Sequence, residues 1–453
     1  MLFKPPQSES AHAVFSAGHE LQAMLQFEAA LARAEARAGI VPAADSENIA
    51  RFCKSELLDA EVLAAESSRS GNAAIPMVQQ LTRLVREHAP GSEFYVHWGA
   101  TSQDVLDTGL VLQLRDLFGV TEQAIRTLCA TLARLCRQYA AAPAAGRTWL
   151  QHAVPIPFGM KFATALDAML RHHARLGELK SRVLVLQFGG AAGTLTALGD
   201  HGEAVAAALA EELQLALPSI PWHTHRDRIT EVACFYGMLA ATLGKVARDL
   251  SLLMQTEFGE VAEAQAEGKG GSSTMPQKHN PVTVASVIAA TLQVPGLVST
   301  VLTAAASQEH ERGLGNWQAE WSTLPQLCLL AQDALEATNS VLTDLTVDTV
   351  AMRANLEKSG GSIFAEAVSM KLAESVGKAN AHEHLQRLTA QASATHIALR
   401  IVVERDELVR KTIGDALDSL FDPGSHMGSS AAMMRKVLAA YEARLGPPTK
   451  GGS

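Results

Sequence analysis

The sequence predicts an all-α protein built around a bundle of long helices, and three observations carry that reading. Hydrophobic residues make up 47% of the chain and aromatics only 5%; alanine and leucine supply much of the rest, and both favour helix over sheet. Apolar residues recur along long stretches in alternating steps of four and three, the seam of a helix bundle. No sustained alternation of apolar and polar residues, the mark of a half-buried strand, persists anywhere.

In order along the chain, the first part runs to about Leu112 and holds shorter helices separated by Pro42, Pro76 and Pro90, an N-terminal helical domain over 1–112. The second part, 113–348, carries the seams. Ile125, Leu128, Leu132 and Leu135 form one, and Cys129 and Cys136, seven apart, share a face of the same helix. Phe162, Leu166, Met169, His173 and Leu176 form another; His173 inside it reads as a packed or paired core histidine. Val232, Leu239, Leu243, Val246, Leu250 and Leu253 form the third. Three helices of roughly 30 residues imply a bundle about 45 Å long. The third part, 349–453, opens its short helices with NLEKSGGS and ends in PPTKGGS, which should fray.

Composition limits the function classes. Charged residues are 19% of the chain, below the usual ~25%, which fits either a large core or, the favoured reading, extensive contact between subunits. Net charge is −9, and no basic run is flanked by stacking aromatics, so nucleic acid is not an expected partner. The five cysteines lack metal-ligand spacing and read as free thiols in a reducing cytoplasm, with no metal expected. The first residues, MLFKPPQSESAHAVFS, lack the apolar core of a signal peptide. No apolar run is expected to approach the ~20 uncharged residues that span a membrane.

Four polar stretches interrupt the seams. In VHWGATSQDVLDT, His97, Thr101, Ser102, Gln103 and Asp104 cluster in a turn that enters a helix. Thr101 or Ser102 can cap that helix, and a helix N-terminus with hydroxyls is also a carboxylate site. In GRTWLQHAVPIPFG, Arg147, Trp149, Gln151 and His152 precede a helix expected to begin near Pro157. In EGKGGSSTMPQKHNP, three glycines and two serines make a flexible loop, followed by Lys278 and Asn280, with Pro281 starting the next helix. In SQEHERGLGNWQAEW, Glu309, His310, Glu311 and Arg312 crowd what is expected to be a helix.

These stretches resemble the fumarase/aspartase superfamily. GSSTMPQKHNP matches every fixed position of its signature loop, and the first two stretches resemble its HxGxTSxD and GRTHLQ regions, in the same order and spacing. The resemblance implies a three-domain fold, a homotetramer around a twenty-helix core, active sites assembled from three subunits, and no metal or organic cofactor. Carried onto this chain, it implies that Ser272 exchanges the proton on the carbon α to a carboxylate. Ser273 and the backbone amides beside it would bind that carboxylate as it becomes an aci-carboxylate. Lys278, Asn280, Thr101 and Ser102 would hold substrate carboxylates, with Gln151 and Arg147 as further contacts. A carbon acid of this kind needs cationic and amide donors to converge on the developing charge, and a serine must be activated by its surroundings.

One departure selects among the members. Where the lyases read GRTHLQ this chain reads GRTWLQ, so Trp149 replaces the histidine that protonates the leaving group. An amine or hydroxide needs that acid; a carboxylate, with a pKa near ~4, does not. The variant therefore fits an internal lactonisation of a small tricarboxylate, and VFSAGHELQAMLQFEAALARAEARAGIVP and EHERGLGNWQAEW also look similar to the cycloisomerase branch. There Arg312 would bind a carboxylate, and His97 and His152 are the candidate acid–base groups. That branch implies a cytoplasmic place in aromatic catabolism, on the protocatechuate arm of the β-ketoadipate pathway. The alternatives are a C–N lyase and an inactive structural homologue.

Overall fold

The computed structural model describes residues 6–266, 268–272 and 274–446. Its contacts divide the chain into two compact units. One comprises Met1–Ile125, His172–Leu243 and Ala289–Glu336, the other Arg126–Arg171, Gly244–Ile288 and Ala337–Ser453.

Helices dominate, as the seams predict. The early helix α1 (Ala17–Arg37) is capped by Ser16, whose hydroxyl accepts from the His19 N–H at 3.3 Å. Five longer helices follow among the described residues, two more than the three seams suggested. They are α2 (Ser102–Gln138), α3 (Gly159–Val183), α4 (Asp227–Leu253), α5 (Val282–Ala306) and α6 (Asn316–Thr343). Every apolar seam residue named above is buried except Val246, which is half-buried. His173 lies beside Glu122, Nε2 to Oε1 at 3.3 Å. α5 and α6 run through Pro295 and Pro325, positions a local rule would read as breaks.

In the first unit, α1 packs on the helix Ala43–Phe52 and on Gly202–Leu213. Its buried stripe carries Leu21, Met24, Leu25, Phe27 and Leu31, and two acids, Glu28 and Glu35. In the second unit, the short C-terminal helices close over their own core, which includes Leu356, Phe364, Leu372, Leu385, Leu399 and Val403.

Two expectations fail here. The chain does contain a β-hairpin, in the second unit: β1 (Pro143–Thr148) pairs antiparallel with β2 (Gln151–Pro157), and α3 starts at Gly159 rather than near Pro157. β1 buries Ala144, Ala145 and Gly146 in a row, so no period of two exists to be read. The second failure is α5, which carries no charged residue, has a mean hydropathy of 1.7 and is long and apolar enough to cross a membrane by length and composition. Only 28% of that window is buried within the chain, and Leu292 and Leu302 are exposed.

Candidate active site

In the first unit, the N-terminus of α2 is organised by Asp104. Its buried carboxylate accepts from the N–H of Thr101 at 3.0 Å, of Gly189 at 3.0 Å and of Gly190 at 2.9 Å, and from His223 Nε2 at 2.8 Å. The Thr101 bond is the return half of a capping box, which makes Thr101 the cap. Thr101 and Ser102 remain half-buried at the helix mouth. One turn on, Asp107 receives Arg226 through both terminal nitrogens, at 2.7 and 3.0 Å, and Trp317 Nε1 at 3.1 Å; Arg226 also grips Glu320. Gln103 donates to the His223 carbonyl at 2.8 Å. These bonds fix the helix mouth and use up the acids that make them.

The segment after α5 is a loop, not the helix the sequence suggested, because Asn316 and the Leu314 N–H both donate to the Glu309 carboxylate at 3.1 Å and fold it back on itself. Arg312 is exposed on this loop and donates to the Ala191 carbonyl at 3.1 Å; the His310 carbonyl accepts from Thr224 at 2.9 Å. His97, on the approach to α2, donates from Nδ1 to Glu28 Oε1 at 2.7 Å. Burial pushes the His97 pKa down, but the adjacent Glu28 and the more distant Asp104 outweigh it, and the net shift is upward.

In the second unit, the hairpin turns on Trp149 and Leu150 alone, since Thr148 pairs with Gln151. Both have positive φ, 52° and 64°, as a type I′ turn requires; Asn-Gly is the usual choice there. Side chains with a Cβ pay about 1–2 kcal/mol each in that region. Trp149 is 95% exposed and Leu150 74%, so within this chain the indole is not a buried aromatic. Gln151 is exposed beside it and His152 half-buried. Arg147, expected among the substrate contacts, has both terminal nitrogens on buried Glu260, at 3.1 and 2.5 Å, and lies 4.7 Å from the centre of the Phe258 ring. Its guanidinium is spent on anchoring the hairpin. Burial, then the charge of Arg147, lower the His152 pKa. The two histidines are thus pushed in opposite directions.

The signature loop also belongs to the second unit. Gly271 and His279 form a β-bridge, and Asn280 donates from its backbone at 2.8 Å and its side chain at 3.2 Å to the Gly270 carbonyl. A Cβ at Gly270 would lie 2.5 Å from the Asn280 carbonyl oxygen, so this closure needs glycine. Ser272 Oγ accepts from the N–H groups of Thr274 at 3.3 Å and Met275 at 3.0 Å. Amides aimed at a hydroxyl oxygen are what an alkoxide needs. Lys278 is exposed and makes no ion pair among the described residues. Ser273 lies outside the described residues. Among the described residues no group of three or more His, Cys, Asp or Glu could hold a metal ion.

The expected residues therefore fall into two sets: His97, Thr101, Ser102 and Arg312 in one unit, and the hairpin and signature-loop residues in the other. Sequence reasoning missed Glu28, His223 and Glu260. Only Glu28 had a legible signal, an acid on the apolar stripe of a helix.

A family model described as Lyase matches residues 7–296, and one described as Adenylosuccinate lyase C-terminus matches residues 361–437. A relative from Pseudomonas aeruginosa, named 3-carboxy-cis,cis-muconate cycloisomerase, is 51% identical over 432 residues, 95% of this chain and 94% of that protein. The crystal structure of the 3-carboxy-cis,cis-muconate lactonizing enzyme from Pseudomonas putida is similar with a TM-score of 0.91 at 45% identity, over 97% of this chain and 98% of that one. The crystal structure of a fumarate lyase from Mesorhizobium sp. BNC1 gives 0.90 at 37% identity, over 97% and 99%.

Proposed function

The chain belongs to the lyase family of the fumarase/aspartase superfamily, and from that premise we propose that it is a cycloisomerase that lactonises 3-carboxy-cis,cis-muconate to a carboxymuconolactone. The observation that carries this reading is the 51% identity to a cycloisomerase of that name across 95% of the chain. The tryptophan at the hairpin tip supports it independently.

In the reaction, a carboxylate oxygen of the substrate adds to the double-bond carbon β to a second carboxylate. The π pair moves to the α carbon and into that carboxylate, which becomes an aci-carboxylate with two negative charges. A proton then reaches the α carbon and nothing leaves, so the substrate trianion and one proton give the lactone dianion. Ser272 supplies that proton, and the alkoxide it leaves is held by the Thr274 and Met275 amides until solvent returns a proton to it. Lys278, Asn280, Thr101, Ser102, Gln151 and Arg312 hold the carboxylates, and Lys278 brings a cation with no ion pair among the described residues. His97, favoured in its protonated form, adds positive charge, while His152, favoured as the neutral ring, can accept a proton. No amine or hydroxide departs, so Trp149 in place of an acid costs the reaction nothing.

The assembly belongs to the same proposal. A homotetramer in the cytoplasm, with each site drawn from more than one subunit, would cover the uncharged face of α5 and bring the two sets of residues together. Five free cysteines suit a reducing compartment. An ultraviolet assay with 3-carboxymuconate and identification of the product tests the activity. Lactone formation without release of fumarate, ammonia or amine from argininosuccinate, adenylosuccinate or aspartate is the expected result; robust fumarate release would replace this reading with a lyase.

A further inference from the structure

Glu28 is an acid where the spacing of α1 asks for an apolar residue, and it is 1% exposed. Burying a carboxylate is costly unless it is paired. Oε1 meets His97 Nδ1 at 2.7 Å, and Oε2 has no hydrogen-bond partner among the described residues. His97 is itself held in an unfavourable backbone conformation, φ 60°, and two residues later Gly99, φ 70°, packs so that a Cβ would lie 2.7 Å from the Leu198 side chain. The His97 side chain stays 18% exposed, and its Nε2 has no partner among the described residues. A histidine tied at one nitrogen to a buried carboxylate and open at the other has a fixed tautomer and orientation.

We propose that Glu28 is a positioning residue for the lactonisation: by holding Nδ1 it fixes the tautomer and orientation of the His97 ring, with Nε2 turned to a substrate carboxylate. This rests on the reading above that His97 serves the site. The charged groups acting on His97 are Glu28 on α1 and Asp104 on α2; burial opposes them and loses. Glu35, seven residues along the same stripe, is pushed up to about 9 by burial and by Glu28, so it stays neutral and adds no competing charge near pH 7. Burial, then Glu28, push the Cys53 thiol up, so it stays neutral as well. Glu28 is therefore the negative charge that this stripe directs at His97.

Glu28→Gln keeps the shape and an acceptor for Nδ1–H but removes the charge. The His97 titration midpoint, read by NMR, should fall, and the basic limb of the kcat/KM profile should move to lower pH. A displacement of one pH unit lowers the rate about tenfold at any pH above the limb, while kcat/KM well below the limb should stay near wild type. Glu28→Asp keeps the charge but misplaces it by one methylene; its limb should stay near wild type while kcat falls. Equal midpoints in wild type and Glu28→Gln overturn the proposal, as does a fallen midpoint with an unmoved limb. Should Glu28→Gln fail to fold, an unchanged kcat in Glu28→Asp overturns it. Absence of 3-carboxymuconate turnover in the wild type would strike the functional reading instead, and the two NMR midpoints would still decide whether Glu28 governs His97.

Discussion

Arg147 and Glu260 meet through two hydrogen bonds, at 2.5 and 3.1 Å, with the Glu260 side chain fully buried and Arg147 only 13% exposed. Asn355 adds a third bond to Glu260 at 2.8 Å, so the β1–β2 hairpin is tied to a fixed anion one residue pair from its turn. Glu260→Leu should strand the guanidinium and cost about 3–5 kcal/mol, the usual effect of breaking a buried pair. Urea unfolding measures it. A loss under about 1 kcal/mol would mean that the hairpin is held by its other contacts.

Ser272→Ala should lower turnover by about two to four orders of magnitude, the range of a lost proton-transfer group. The fold should survive, since Ser272 is half-buried and its bonds are to Thr274 and Met275 within the same turn. Lys278→Met should act mainly on KM, because the exposed ammonium supplies charge for substrate carboxylates. Steady-state kinetics with circular dichroism separates the two. Wild-type turnover in Ser272→Ala would move the proton-transfer role to His97 or His152.

The seams were legible because burial in a long helix writes itself into steps of three and four, and Leu128, Leu132, Leu239 and Leu243 all obey it. The hairpin was not, because Ala144, Ala145 and Gly146 are buried in succession and the turn uses Trp-Leu where a turn residue pair is expected. The signature residues Ser272, Lys278 and Asn280 could be named from a motif. Their partners could not: Glu260 meets Arg147 across 113 residues and His223 meets Asp104 across 119, and no local pattern encodes such pairings.

The two candidate histidines should oppose each other in a pH-dependent stability experiment. His97 is raised above its ordinary 6.5, so its stabilisation is full below the unfolded value near 6.5 and fades as pH rises through the folded value. His152 is lowered, so its contribution is full above the unfolded value and is lost as pH falls through the folded one. Urea unfolding should show His97→Gln losing more stability at acid than at alkaline pH, and His152→Gln the reverse. The same trend in both variants would contradict the opposed environments.

Assembly can be tested through α5. An uncharged helix with Leu292 76% exposed and Leu302 45% exposed calls for a cover. Sedimentation should give a mass near four times 48.1 kDa. Leu292→Asp, on the exposed face, should dissociate the assembly and remove activity together, since each site is proposed to draw on several subunits. A fully active monomer would end the shared-site model.

Trp149 offers the sharpest test of the chemistry. Its left-handed backbone and 95% exposure mean that no packing among the described residues rewards a large aromatic there. Strain held at an exposed tip points to use rather than to folding. In the proposed reaction the indole covers the substrate, keeps water away and holds the internal carboxylate near its target carbon. Trp149→His should therefore leave the unfolding midpoint nearly unchanged, because an exposed side chain is being traded for another. Lactonisation should fall, because imidazole is smaller and polar. The acid restored at this position should give no fumarate release, since this substrate has no amine to expel. The paired change Trp149→Asn with Leu150→Gly installs the turn residues this geometry prefers, so it should stabilise the hairpin while lowering kcat/KM further. Wild-type lactonisation in either variant would show that the tryptophan is dispensable, and the absence of an acid at the tip would then no longer favour lactonisation over elimination.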